Sequence, residues 1–157
     1  MISLIKKFFL HSKDLNSEKS SFKKLKKKKS ILLIFSAIEN YSENSEIRYV
    51  GGCIRKILNN ENVDDIDFAV NLKPNECIEA LKKNNIRYYE TGVDHGTITA
   101  IIENDEFEIT SLRKDSITDG RHAKVSFSRD WHEDASRRDF TINSIYSDID
   151  GNLYDPF

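Results

Sequence analysis

The spacing of hydrophobic residues predicts short helices and strands that follow one another along the chain. Ile31, Ile34, Phe35 and Ile38 recur at helical spacing, which predicts an amphipathic helix that packs onto a core. The next predicted elements are, in order, a strand at 47–50, a glycine turn at 51–52, a helix containing Ile54, Ile57 and Leu58, a strand at 66–70, a helix at 76–83 and an extended segment at 86–89.

Strands dominate the pattern that follows. Residues 97–102 and 107–112 are two β-type segments separated by the polar residues 103–106, which predicts an antiparallel hairpin. Residues 113–129 are polar and show little periodicity, so we expect a long loop there. Long loops inside compact domains are usually functional or mobile.

The last part of the chain begins with a helix signal. Asp130 is a favourable N-cap residue and Glu133 follows three positions later, which predicts a short helix through Arg137. Residues 145–150 and 152–154 are then expected to form two strands around an Asp-Gly turn.

Length and composition predict one soluble globular domain. The chain has 157 residues, 38% of them hydrophobic and 32% charged, with six Gly and two Pro, which excludes collagen-like and low-complexity classes. Its longest largely apolar run, residues 30–38, is far shorter than the roughly 20 residues of a membrane span. Cys53 and Cys77 form no metal-binding or disulfide pattern, so we expect a cytoplasmic protein without a membrane partner.

Charge is distributed unevenly. Residues 1–30 carry ten Lys against two acids, a net charge of +8, whereas the remainder has a net charge of −10. We expect residues 1–29 to be a basic, flexible arm and residues 30–157 to be the folded domain. The arm could simply favour solubility or could contact nucleic-acid phosphates.

The acids of the sequence Asp65-Ile66-Asp67 are the first candidates for chemistry. On a strand, residues two apart point to the same face, so both carboxylates would face one site while Ile66 and Phe68 face the core. Glu108, between two apolar residues of a later strand, is the best third acid. Three such carboxylates can bind Mg²⁺ for phosphoryl transfer. A solvated acidic edge is the alternative.

A glycine pair lies one predicted strand upstream of these acids. Gly51 and Gly52 would let the backbone approach a phosphate at the start of a helix, and Arg55 could add a charged contact. A tight turn with a surface arginine explains the same residues.

A third group of candidates lies near the C-terminus. Arg137 and Arg138 can meet a triphosphate or the phosphates of a strand, and Asp139 can accept a hydrogen bond from a ribose hydroxyl. The alternative is a helix end held by ion pairs. Asn143 is either a ligand contact or a turn residue.

Taken in order, these motifs resemble the catalytic head domain of the class II tRNA nucleotidyltransferases, the CCA-adding enzymes, and of the related bacterial poly(A) polymerases. The resemblance runs from about residue 31 to residue 157 and is carried by RYVGGCIR, DDIDFAV, HGTITAIIENDEFEITSLR and TDGRHAKVSFSRDWHEDASRRDFTINSIYSDIDGNLYDPF. It implies an α+β fold of the polymerase-β-like nucleotidyltransferase superfamily, a small mixed β-sheet with flanking helices.

The resemblance also implies an activity and roles for residues. The activity is template-independent transfer of CMP and AMP from CTP and ATP to the 3′ end of tRNA, with pyrophosphate leaving. By position, the Mg²⁺ ligands would be Asp65 and Asp67, the third catalytic acid Glu108, and the nucleotide contacts Gly51, Gly52, Arg55, Arg138 and Asp139, while residues 113–129 match the family's flexible loop.

Two departures from the family pattern stand out. Lys56 replaces an Asp that usually follows the arginine of the glycine motif, which would weaken a contact that steadies the turn. The neck, body and tail helices that follow the head in the family are absent, and in the family the neck reads the incoming base. A separate chain supplying them is one expectation; a poly(A) polymerase head, or a non-catalytic nucleotide- or RNA-binding fragment, are the alternatives.

Overall fold

The fold is α+β, and the computed structural model describes residues 14–116, 124–139 and 141–157. The helices are α1 (Asp14–Lys26), α2 (Lys29–Glu39), α3 (Gly52–Leu58), α4 (Pro74–Lys83) and α5 (Trp131–Ser136), with short 3₁₀ turns at Val93–His95 and Thr141–Ser144. The strands are β1 (Ile47–Val50), β2 (Asp67–Val70), β3 (Arg87–Gly92), β4 (Thr97–Ile102), β5 (Asp105–Ser111), β6 (Arg113–Ser116), β7 (Lys124–Phe127), β8 (Tyr146–Ser147) and β9 (Leu153–Tyr154).

A seven-stranded mixed sheet forms the centre of the domain. Its strand order is β3-β4-β5-β2-β1-β8-β9. Strands β2 and β5 pair in parallel, and every other neighbouring pair in this sheet is antiparallel. The predicted hairpin is confirmed, because β4 and β5 pair antiparallel from Thr97 opposite Thr110 to Ile102 opposite Asp105.

One face of the sheet carries the main hydrophobic core, which includes residues from α1 to α4. Tyr49 of β1 and Phe68 of β2 are paired across the sheet, and both are fully buried. Their rings lie 5.3 Å apart, and Phe35 of α2 packs 5.2 Å from the ring of Tyr49. Each such aromatic pair contributes about 0.5–1.5 kcal/mol beyond area burial, so this layer fixes which side of β1 and β2 faces inward.

The opposite face is covered by the short helix α5. Val50, Ala69, Ala135 and Tyr146 form a second buried cluster there, and Trp131 packs edge-on against Tyr146 with ring centroids 5.1 Å apart. Asp130 caps α5 as predicted, because its carboxylate accepts hydrogen bonds from two backbone N–H groups of the first turn.

The expected flexible arm at 1–29 differs from the structure in its second half. Residues of α1 are helical, and Phe22 and Leu25, three positions apart on one helix face, are only 2% and 6% exposed. The Phe22 ring lies 5.8 Å from that of Tyr49. Two apolar residues among many lysines gave too weak a pattern to predict this packing. The part of the arm at 1–13 lies outside the described residues.

Packing around Phe22 extends to the turn between β8 and β9. Gly151 has φ +86°, and a Cβ built on it would lie 2.7 Å from a ring carbon of Phe22. Both the backbone conformation and the close ring require glycine here. The N-terminal helix is therefore fitted to the C-terminal strands.

The prediction of a loop at 113–129 is wrong near both ends of that range, where the structure has strands. Strands β6 and β7 pair antiparallel from Arg113 opposite Phe127 to Ser116 opposite Lys124. Val125 and Phe127 alternate with polar residues over only four positions, and β6 has no apolar residue, so the pattern was too short to predict strands; backbone hydrogen bonding supplies the pairing. Residues 117–123, the centre of the expected loop, lie outside the described residues.

Within the described ranges, no helix is both long and apolar enough to cross a bilayer.

Replacing Phe22 with Ala tests whether α1 belongs to the folded domain. We expect the free energy of unfolding to fall by about 3 kcal/mol or more, because a buried phenyl ring leaves a cavity against Tyr49. Urea titration followed by fluorescence measures it. Lys19→Ala, at an exposed position of the same helix, should change stability by less than about 0.5 kcal/mol. Equal stability of Phe22→Ala and the wild type would show that α1 is undocked.

Candidate functional site

The parallel pairing of β2 with β5 brings two of the predicted acids side by side. Asp67 is the first residue of β2, and its partner in the register is Glu108 of β5. Neighbouring strands lie about 4.8 Å apart, and paired residues point to the same face. Phe68 and Ile109, the next pair, are fully buried on the core face. The two acids therefore project from the opposite face of the sheet.

Asp65 lies just before the strand rather than in it. The strand predicted at 66–70 begins at Asp67, and Asp65 is exposed on an extended segment. Ile66 is 8% exposed and belongs to the same core cluster as Phe68. Packing of Ile66, and not a strand hydrogen-bond ladder, thus sets the position of Asp65.

Electrostatics shows that these acids influence one another. The pKa of Asp67 is raised by burial first, then by the negative charges of Glu108 and Asp65, while Arg138 partly opposes the increase. Across the described ranges, no three acidic, histidine or cysteine side chains already converge as a metal-binding cluster. Asp67 and Glu108 share one face, and the negative charge there, increased by Asp65, is one that a cation would relieve.

The glycine pair adjoins Asp67. Gly51 lies between β1 and α3 and has φ +74°, a conformation that residues with a side chain rarely adopt. A Cβ built on Gly51 would lie 3.9 Å from the Asp67 Oδ2. A Cβ on Gly52 would lie 3.9 Å from an Arg55 guanidinium nitrogen, so Arg55 folds back over the glycine turn. The structure brings Gly51, Gly52, Arg55 and Asp67 together.

Lys56 has an ionic partner. Its ammonium group contacts the carboxylate of Asp64, on the segment that leads into β2. The hydrogen bond from Lys56 lowers the pKa of Asp64. This ion pair ties α3 to the segment that carries Asp65.

A buried carboxylate that the sequence analysis missed organises the arginines. Asp134 is fully buried in α5, and its Oδ1 accepts from Arg137 Nη2 at 2.8 Å, while its Oδ2 accepts from Arg138 Nε at 2.9 Å. The Tyr146 hydroxyl donates to Oδ2 at 2.7 Å, and the backbone N–H of Arg113 donates to Oδ1 at 3.2 Å. Asp134 precedes the arginines by three and four residues, a helical spacing that could have revealed the ion pairs.

This arrangement corresponds to the ion-paired helix end that was the alternative for Arg137 and Arg138. Burial favours the neutral form of Asp134, but the charges of Arg138 and Arg137 and the hydrogen bonds overcome it and lower the pKa. Arg138 still acts electrostatically on Asp67. The ion pair therefore sets an arginine close to the acids.

Asp139 and Asn143 lie just beyond α5. Asp139 is exposed, and the Asn143 side-chain amide donates to the Asp139 backbone carbonyl at 3.2 Å. This is the turn contact that was the alternative for Asn143. A nucleotide contact by either residue stays a prediction.

A cavity of about 810 Å³ lies around α5 and β9, but its lining includes none of the predicted site residues. Arg48 fills part of it, with its guanidinium carbon 4.0 Å from the ring centroids of both Trp131 and Tyr154. Cations held over aromatic rings in this way stabilise local packing. The cavity and the acidic face are thus separate features of the surface.

Replacing Asp134 with Asn tests its organising role. We expect the free energy of unfolding at pH 7 to fall by about 3–5 kcal/mol, because two half-buried arginines lose their partner. The folded-state pKa of Asp134 is lowered, so its contribution exists above the unfolded pKa and disappears as the pH falls through the folded value. The difference between variant and wild type should therefore shrink below about pH 4.

Urea unfolding at pH 7 and at pH 3.5 makes this measurement. Glu43→Gln, which changes an exposed acid, serves as the matched control and should leave stability nearly unchanged at both pH values. A constant difference between Asp134→Asn and the wild type across this range would contradict the expectation.

The sequence of this chain matches one protein family and several known proteins. The family described as "Poly A polymerase head domain" matches residues 47–157. The human protein "CCA tRNA nucleotidyltransferase 1, mitochondrial" is 48% identical over 116 residues, covering 73% of this chain and 27% of its own length. The "CCA-adding enzyme" of Lactobacillus johnsonii is 40% identical over 114 residues, which are 71% of this chain and 28% of its own length.

A solved structure has the same fold. The CCA-adding enzyme of Bacillus stearothermophilus in complex with CTP superposes with a TM-score of 0.67 and 28% identity, covering 80% of this chain and 29% of that one. The chain thus spans under a third of the length of these relatives. The match to the family covers most of the chain and includes the acids, the glycine pair and the arginines of α5. The chain belongs to the poly(A) polymerase head-domain family.

Proposed function

We propose that this chain is the catalytic head of a template-independent nucleotidyltransferase that adds CMP and AMP, from CTP and ATP, to the 3′ end of tRNA. The observation that carries the proposal is the pairing of Asp67 with Glu108 beside the glycine pair, with Asp65 within electrostatic range. The relatives named as CCA-adding enzymes support tRNA over poly(A) as the product.

The acids fit a divalent cation, which we take to be Mg²⁺. Burial and two neighbouring carboxylates raise the pKa of Asp67, so an ion bound there would remove an unfavourable concentration of negative charge. Asp65 and Asp67 would be its ligands and Glu108 the third catalytic acid. When bound, such an ion neutralises charge that develops on the phosphates.

Other side chains would bind and orient the nucleotide. Arg55 folds over the glycine turn and would contact the triphosphate together with the backbone of Gly51 and Gly52. Arg138 would face the nucleotide, and Asp139 its ribose. The 3′-hydroxyl of the RNA would then form a bond to the α-phosphorus as the bond to the β-phosphate oxygen breaks, which releases pyrophosphate.

Recognition of the incoming base and binding of the tRNA would require further protein segments. The chain spans 27% of the human relative, so we propose that neck, body and tail helices act with it. A cytoplasmic location stays a prediction, because the name of the human relative places that protein in mitochondria.

Incorporation of labelled CTP and ATP into tRNA that lacks its 3′ CCA end, measured with the chain together with neck, body and tail helices, tests the activity. We expect incorporation that requires a divalent cation, and a loss of at least about 1000-fold in Asp65→Ala and Asp67→Ala, because these acids would stabilise the transition state. The control is Glu43→Ala, which removes an exposed acid that is not among the site residues. Nucleotide binding without incorporation would instead support the non-catalytic fragment.

Thermal unfolding with and without Mg²⁺ tests the acidic site independently of catalysis. Without metal, Asp67→Asn should be more stable than the wild type, because it removes a half-buried charge beside Glu108. Mg²⁺ should raise the melting temperature of the wild type by a few degrees and that of Asp67→Asn by much less. Equal shifts in the two proteins would place the ion elsewhere.

A further inference from the structure

Six lysines of the N-terminal region form an exposed surface that the nucleotide site does not use. We call it the lysine surface, and it consists of Lys19, Lys23, Lys24, Lys27, Lys28 and Lys29, all of them exposed. Lys26, between them, forms an ion pair with Asp150. None of the six takes part in the ion pairs found among the described residues. The lysine surface is therefore concentrated positive charge that no ion pair among the described residues compensates.

The lysine surface is held in place by the core. Phe22 and Leu25 are buried on the inward side of α1, and Gly151 leaves room for the Phe22 ring. Residues three and four apart on a helix are about 5–6 Å from one another. Fixed charges lose less conformational entropy on binding than charges on an unfolded arm would lose.

Charge segregation indicates that the partner is external and anionic. Outside residues 1–30 the chain has a net charge of −10, so the domain contains many acidic side chains with which these lysines could have formed ion pairs. The six lysines nevertheless form no ion pair with any acid that the structure describes. A regular array of phosphates is the partner that such a surface fits, because each bound lysine releases a counterion from it.

An RNA backbone fits better than a membrane. A helix that lies on a bilayer inserts an apolar face between lipids. Phe22 and Leu25 of α1 are already packed in the core, and the exposed positions described in α1, from Lys19 onward, hold only lysine and serine. Such a side can contact phosphates without reading sequence.

We propose that the lysine surface docks the phosphate backbone of tRNA at a point away from the reacting 3′ end. This inference rests on the proposed function for the identity of the RNA. The family match begins at residue 47, so the lysine surface lies outside the matched domain and is an additional RNA contact of this chain. It would increase affinity for tRNA in a manner that depends strongly on salt.

The test compares two triple variants with equal loss of charge. Lys23→Gln, Lys24→Gln and Lys27→Gln are combined in the first, and Lys73→Gln, Lys82→Gln and Lys83→Gln, all exposed at or in α4, in the second. Binding of tRNA lacking its CCA end is measured without nucleotide, between 0.05 and 0.3 M salt. The first variant should bind about 10- to 100-fold more weakly at low salt, with a log–log salt slope reduced by about 2 to 3.

The outcomes separate this inference from the proposed function. The second variant should retain the affinity and slope of the wild type, and both should keep the wild-type urea midpoint. Equal losses in the two variants, no loss in the first, or no binding of tRNA by the wild type would overturn the inference. The inference would also be overturned if the first variant lost binding to phosphatidylserine vesicles but retained binding to tRNA. Failure of the proposed function would appear separately, as tRNA binding without incorporation of CTP or ATP.

Discussion

The parallel pairing of β2 and β5 is the constraint on which the site depends. These strands are separated in sequence by α4, β3 and β4, yet they lie side by side at the centre of the sheet. Their register sets Asp67 beside Glu108 on one face and Phe68 beside Ile109 on the other. Shifting the register by one residue would turn the acids into the aromatic core and the apolar residues into solvent. Hydrophobic packing behind the sheet therefore holds together charges that repel each other in front of it.

The second organising element is the carboxylate of Asp134. A buried ionised group is tolerated only when it is well paired, and this one has two arginines, a tyrosine hydroxyl and a backbone N–H as partners. It connects α5, the start of β6 and β8. The same ion pairs place Arg138 where it acts on Asp67. Stability and the electrostatics of the acidic face are thus coupled through one side chain.

Positive charge is divided between two roles. Arg137 and Arg138 are half-buried and paired, whereas the lysine surface is exposed and has no ion-pair partner in the described part of the chain. Arginine suits the first role, because its planar group donates to a carboxylate in a fixed geometry. Lysine suits the second role, because a mobile point charge follows a phosphate backbone without demanding one geometry. A domain with a net negative charge can in this way approach a polyanion from a defined side.

Local patterns in the sequence determined the hairpin of β4 and β5, the cap of α5 and the order of most helices and strands, because hydrophobic period and capping chemistry act over a few residues. Local patterns did not determine which strands lie next to each other in the sheet. The pairing of Asp67 with Glu108 spans 41 positions, and no local rule specifies a parallel partner at that distance. The docking of Phe22, the pairing of β6 with β7 and the burial of Asp134 likewise depend on residues remote in sequence or on backbone hydrogen bonds. Sequence alone determined which residue types were available for chemistry, and the tertiary structure decided which of them share a face, because only packing fixes distances between segments that are far apart along the chain.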